Sequence, residues 1–230
     1  MSDVRLPCRL AALDMNGTTI ADNGAFETAL HAGLARVGTR FPDEDTLSRL
    51  RGIAKADLFR RLVPDADLRA TAYETFIESF LDTIAGGGVT AVPGAGEALG
   101  ELSALGVSVC LMTGFPHEIQ SAILDVLGWR SLVDASVSSD GVPHGRPAPD
   151  MVLRAAELTD CPDLRTVAVV GDTVSDLTAG HRAGAGLVIG VLTGAHTAER
   201  LAAAQPTHVI ASVAELPALV TGLTSAGERR

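Results

Sequence analysis

Two carboxylates stand where apolar runs end. Asp14 follows residues 10–13 (LAAL), and Asp172 follows residues 167–171 (VAVVG), with Asp176 four positions further on. A carboxylate at a strand end can attack an electrophile or bind a hard cation such as Mg²⁺ through oxygen. A lone Asp is equally explained by a turn or a helix cap. Three acids that can reach one point favour a metal site, with Asp172 and Asp176 able to face the same ion if a helix starts near Thr173. Asn16 stands two residues after Asp14. A carboxylic acid there could protonate a leaving group, whereas an amide cannot.

Two further segments carry polar groups at the ends of apolar runs. Thr113-Gly114 follows residues 107–112 and leads into a helix expected near Pro116. A hydroxyl and free N–H groups at such a point suit an anion. Arg146 lies in Gly145-Arg146-Pro147-Ala148-Pro149-Asp150, a proline-stiffened turn that would hold a permanent cation in place for phosphoryl oxygens. The chain has 18 basic residues, and Lys55 is the only lysine. Read alone, it is either a solvated surface side chain or, near a helix start and desolvated, an amine of lowered pKa that is nucleophilic.

The elements that must position these residues follow from the hydropathy pattern. Apolar runs at 10–13, 107–112, 167–170 and 187–192, with weaker ones at 132–137 and 208–211, are near-continuous. That pattern marks parallel strands covered on both faces. Helical three- and four-residue spacing at 97–105, 118–127, 150–158 and 198–204 separates them. The alternation predicts an α/β fold, an open, doubly wound parallel sheet. Residues 20–88 break the rhythm and show no strand. They read as four helices at 24–37, 44–51, 55–62 and 66–84, closed by Gly86-Gly87-Gly88. The expected organisation is an α/β core of residues 1–19 and 89–221, a helical cap of residues 20–88, and a polar tail of residues 222–230. An insert after the first strand would stand over the carboxyl ends of the strands, where open α/β sheets bind ligands.

Composition excludes several classes. With 230 residues, 47% of them hydrophobic, the chain can bury a sizeable core. A net charge of -10 argues against nucleic acid as partner. Three scattered cysteines, Cys8, Cys110 and Cys161, argue against a disulfide framework. No run approaches the length of a membrane span, and no basic-then-apolar leader opens the chain. The expectation is a cytoplasmic protein acting on a small molecule, with neither nucleic acid nor membrane as partner.

The order Asp14, Thr113, Arg146, Asp172/Asp176 resembles the four motifs of the haloacid dehalogenase superfamily, and the helical insert resembles its cap. Asp14-Met15-Asn16-Gly17-Thr18, Gly145-Arg146-Pro147 and Gly171-Asp172-Thr173-Val174-Ser175-Asp176 are similar to the motifs of phosphonoacetaldehyde hydrolase (phosphonatase) and of phosphonatase-like hydrolases. Residues 184–196 are closer to the phosphonatase-like group. Gly52-Ile53-Ala54-Lys55 is similar to the segment carrying phosphonatase's cap lysine. Arg51, Leu58 and Ala25 stand where that enzyme carries Met, His and Cys.

The resemblance implies a Rossmann-like core, and Mg²⁺ held by Asp14, the backbone carbonyl of Asn16 and Asp172, with Asp176 direct or through water. It implies phosphoryl binding by Thr113, Gly114 and Arg146, an aspartyl-phosphate on Asp14, a Schiff base on Lys55, and a possible homodimer paired through the cap. The substrate would be a small phosphonate or organophosphate. The alternative is a phosphatase or phosphotransferase acting on a small phosphate ester without Schiff-base chemistry. A binding protein without turnover and a dehalogenase fit less well, because the acid set is complete.

Overall fold

The computed structural model describes residues 8–227. The expected leaderless N-terminus and the end of the polar tail, residues 1–7 and 228–230, lie outside the described residues. In chain order the elements are β1 (Leu10–Asp14), β2 (Ile20–Ala21), α1 (Ala25–Arg36), α2 (Glu44–Leu50), α3 (Lys55–Leu62), α4 (Ala66–Ala85), β3 (Thr90–Ala91), α5 (Ala95–Ala104), β4 (Ser108–Met112), α6 (His117–Val126), β5 (Ala135–Val137), α7 (Asp150–Leu158), β6 (Val167–Gly171), α8 (Val174–Ala183), β7 (Leu187–Val191), α9 (Ala198–Ala202), β8 (His208–Ile210) and α10 (Leu216–Gly227). Six strands form one parallel sheet in the order β5-β4-β1-β6-β7-β8.

The sheet is buried on both faces, which is why its strands read as continuous apolar runs. Successive residues of β1 face opposite ways. Ala11 and Leu13 join the layer containing Leu99 and Leu102 of α5, Ile119 and Ile123 of α6, and Leu216 and Val220 of α10. Leu10 and Ala12 join Met151, Val152 and Ala155 of α7 and Ala179 and Ala183 of α8. The core is therefore a three-layer, doubly wound sandwich. The chain leaves β1 for β4 on one side and returns later to β6 on the other. The carboxyl end of β1 is thus the switch point where such sheets open a crevice.

Residues between β2 and β3 form four helices, α1 packing along α4. Five of the chain's six phenylalanines, with Tyr73, make one aromatic cluster around Phe76. Phe115, which follows β4, belongs to it: its ring stacks on Phe76 and lies 4.6 Å from Phe80. The sheet thereby contributes a side chain to the insert's apolar interior.

Two expectations need correction. Residues 20–88 do contain a strand, β2, which pairs antiparallel with β3 at Ile20↔Ala91 and Ala21↔Thr90. Two residues are too few to show a period in sequence. Residues 222–227 belong to α10 rather than to a polar tail. Its apolar face begins earlier, with Leu216 and Val220 packed on the core, and carries the helix onward. Among the described residues, no helix is long and apolar enough to cross a membrane.

Candidate active site

Parallel register brings the separated motifs together. Asp14 pairs with Met112, so Thr113 extends one residue beyond it on one side; Leu13 pairs with Val170 and Gly171 with Gly190, so Asp172 is the first residue past β6 on the other. Asp14, Asp172 and Asp176 are buried, and ligand oxygens from the three lie within 4.8 Å of one another. Gly17 turns the chain away after β1 with φ +85, a conformation side-chain-bearing residues rarely adopt. A Cβ at Gly17 would also strike the Asp172 carboxylate.

Each carboxylate has a distinct set of partners. Arg146 Nη1 donates to Asp14 Oδ1 at 2.6 Å and also to Asp176 Oδ1. Asp176 Oδ2 accepts from the backbone N–H and hydroxyl of Thr173, closing a capping box on α8. Both Asp176 oxygens are thus committed, and Asp176 fixes Arg146 against Asp14. Asp172 is not the cap of α8; Thr173 is. Asp172 Oδ2 accepts from Ala195 N–H at 2.6 Å, while its buried Oδ1 has no hydrogen-bond partner among the described residues. Burial, and then the neighbouring Asp14 charge, raise the Asp172 pKa well above the usual carboxylate range. A divalent cation at the unpartnered oxygen would remove that cost.

The cavity beside these groups has a volume of about 420 Å³. Asp14, Asn16, Thr113, Gly114, Arg146 and Asp172 line its sheet side. The expected anion site at the start of α6 is smaller than the sequence implied. The Phe115 N–H is bound by Thr113 Oγ1 and the His117 N–H by Asp140, so Thr113 and Gly114 are what that turn offers.

The insert supplies the opposite wall, including Lys55, Phe26, Arg51 and Asp22. Lys55 is the first residue of α3 and is 8% exposed. Its backbone N–H donates to Gly114 O at 2.8 Å, which docks α3 onto the sheet side of the site. Ser175 Oγ donates to Arg51 O at 3.4 Å beside it. Lys55 Nζ lies 4.8 Å from the ring centres of both Phe26 and Phe115. Burial first, then the Arg146 charge, lower its pKa to about 8. The solvated-surface reading of Lys55 is thereby excluded.

Asp22 and Phe26 escaped the sequence reading. Asn16 Nδ2 donates to Asp22 Oδ2 at 2.8 Å, and the Asp22 carboxylate also accepts from the N–H groups of Gly24 and Phe26 at the start of α1. The signal available was Asp22-Asn23-Gly24, which by itself reads as a turn. The expected buried thiols are found: Cys8 and Cys110 lie in the core, and burial raises both pKa values to about 12, which makes them unreactive.

Comparison with known proteins agrees with this geometry. Residues 8–184 match the family model of the haloacid dehalogenase-like hydrolases. The chain is 29% identical over 214 residues to Dickeya dadantii "Probable phosphatase IndB", covering 90% of this chain and 91% of that one. It is 31% identical over 205 residues to the phosphonoacetaldehyde hydrolase of Bordetella pertussis, covering 80% and 73%. A crystal structure of a phosphonoacetaldehyde hydrolase-like protein from Oleispira antarctica superposes with TM-score 0.82 at 22% identity, covering 95% and 93%.

Proposed function

Because the chain belongs to the haloacid dehalogenase-like hydrolase family, we propose that it is a Mg²⁺-dependent hydrolase of a small carbonyl-bearing phosphonate, with helices α1–α4 acting as its cap. Asp14, the Asn16 carbonyl and Asp172 would hold the ion, and Asp176 would reach it only through water. The unpartnered Asp172 Oδ1 beside Asp14 supports that donor set. A bound Mg²⁺ supplies charge neutralisation at the phosphoryl oxygens.

The observation that carries the reading is Lys55: a single buried amine, of pKa about 8, on the cavity shared with Asp14. The neutral amine attacks the substrate carbonyl, and loss of water leaves an iminium. The C–P bond then breaks, its electron pair moving to the iminium to give an enamine. Phosphorus passes to an Asp14 oxygen as an aspartyl-phosphate. Thr113, Gly114 and Arg146 bind the phosphoryl oxygens as charge shifts. Water hydrolyses the acyl-phosphate to free Asp14, and protonation and hydrolysis of the enamine release the aldehyde and Lys55. No acid is needed at position 16, because the leaving carbon departs into the iminium.

One observation favours a second reading, a phosphatase of small esters. Asp22 brings a carboxyl group to the cavity wall beside Asn16, the place where ester cleavage needs a proton carrier and the amide is none. The test is a panel containing phosphonoacetaldehyde and small phosphate esters with Mg²⁺, run on wild type and Lys55→Arg, with borohydride trapping. The phosphonate reading expects substrate-dependent reductive labelling of Lys55 and loss of phosphonate turnover in the variant. Unlabelled Lys55 with ester turnover intact in Lys55→Arg would establish the ester phosphatase instead.

A further inference from the structure

Residues 193–196, between β7 and α9, touch both loops that carry the metal donors. Thr193 Oγ1 donates to Gly17 O at 2.7 Å, next to the Asn16 carbonyl. Gly194 packs so tightly on Asp172 that a Cβ there would overlap its carboxylate, and the Ala195 N–H takes Asp172 Oδ2. His196 Nδ1 accepts from the Val174 N–H at 3.0 Å, fastening the same segment to the start of α8. One turn later Arg200 donates to Ser48 of α2, so the segment also reaches the insert.

These contacts have a common effect. Asp14 and Asp172 are buried neighbours with oxygens within 4.8 Å of each other, and two carboxylates at that distance would separate if nothing held them. Nothing in β1 or β6 fixes the Asp172 rotamer, since its side chain extends beyond the paired strands. The grip on Oδ2 fixes it and leaves Oδ1 as the free donor. The Asn16–Gly17 peptide is set by Gly17 N–H donating to Ile20 O, and the grip on Gly17 O fixes the peptide that follows, so the turn bearing the Asn16 carbonyl is held at both ends. We propose that residues 193–196 form a positioning strap that preorganises the divalent-cation site from both sides, with Thr193 as a positioning residue acting through Gly17. The inference rests on the metal reading above and is independent of which substrate the enzyme takes.

The test is Mg²⁺ binding by calorimetry to the full-length protein without substrate. Thr193→Val removes the hydroxyl donor at nearly constant volume, and Thr193→Ser keeps it. Loss of a group that orients a donor weakens metal binding by about 10-fold. We expect that loss in Thr193→Val, with Thr193→Ser within about 2-fold of wild type, and a larger loss in any folded Gly194→Ala protein. Wild-type affinity in Thr193→Val, or equal weakening in the Val and Ser variants, overturns the strap. Absence of Mg²⁺ binding by wild type overturns the metal reading itself, and the strap with it.

Discussion

The sheet wall of the cavity holds Asp14 at the end of β1, Asp172 just past β6 and Arg146 in the turn before α7; Asp176 in α8 fixes Arg146 from behind, and Ala195 N–H fixes Asp172. The insert wall holds one amine beside two aromatic rings, and near it the insert is tied to the opposing loops through its backbone, Lys55 N–H to Gly114 O and Arg51 O to the Ser175 hydroxyl. The first wall is built from buried ionised groups in which Arg146 serves both Asp14 and Asp176, so removing that arginine leaves its partners buried and unpaired. The second is built from desolvation, so its key group is tuned rather than paired. On the proposed function, the contrast separates a phosphoryl-transfer apparatus from a device that selects which bond is broken.

The largest expected effect tests the first wall. Asp14→Asn removes the proposed nucleophile and should lower phosphate release from every substrate by about 1,000-fold or more. Lys55→Met should match that loss for phosphonoacetaldehyde, while ester turnover falls by less than about 10-fold. Equal losses on both substrate types would erase the distinction between the walls. The next effect is on pH. Only the neutral amine attacks, so phosphonate turnover should rise about tenfold per unit below pH 8 and level off above it, a limb absent from ester hydrolysis.

The same lysine makes a stability prediction of opposite sign to its activity. Its folded pKa, about 8, lies below the ordinary lysine value of 10.5. Below pH 8 both folded and unfolded chains hold the proton and the burial cost is complete. Between about pH 8 and 10.5 the unfolded chain binds more protons, so wild-type stability rises with pH. Lys55→Met should therefore be more stable than wild type by up to roughly 3 kcal/mol at pH 7, the advantage fading toward pH 10.5 in chemical denaturation. The smallest effect is at position 16. Asn16→Asp would set a second carboxylate against Asp22 and should cost about 1–2 kcal/mol near pH 7, less in acid.

The parts legible in sequence were those where one residue type meets one backbone context. Asp14 and Asp172 end apolar runs, and parallel register turns that into proximity. Lys55 stood out because it is the only lysine, although its sequence could not reveal the rings that flank it: Phe26 lies 29 positions before it and Phe115 60 positions after it. Asp22 was illegible because a turn explains it fully until Asn16 is seen against it. Residues 193–196 act through one backbone N–H, a missing Cβ and two side chains, Thr193 and His196, whose partners are main-chain groups distant in sequence, which no pattern of side-chain types reports. The β2–β3 ribbon fell below the shortest run in which a period can be read.

That ribbon has an evolutionary consequence. Since Ile20 pairs with Ala91 and Ala21 with Thr90, the chain leaves the sheet and returns to it through adjacent strands, about 5 Å apart. Any module whose ends meet at that spacing can be grafted there without altering the register of β1 with β4 or β6. One wall of the cavity can then be replaced wholesale while the strand-end carboxylates of the other are inherited unchanged.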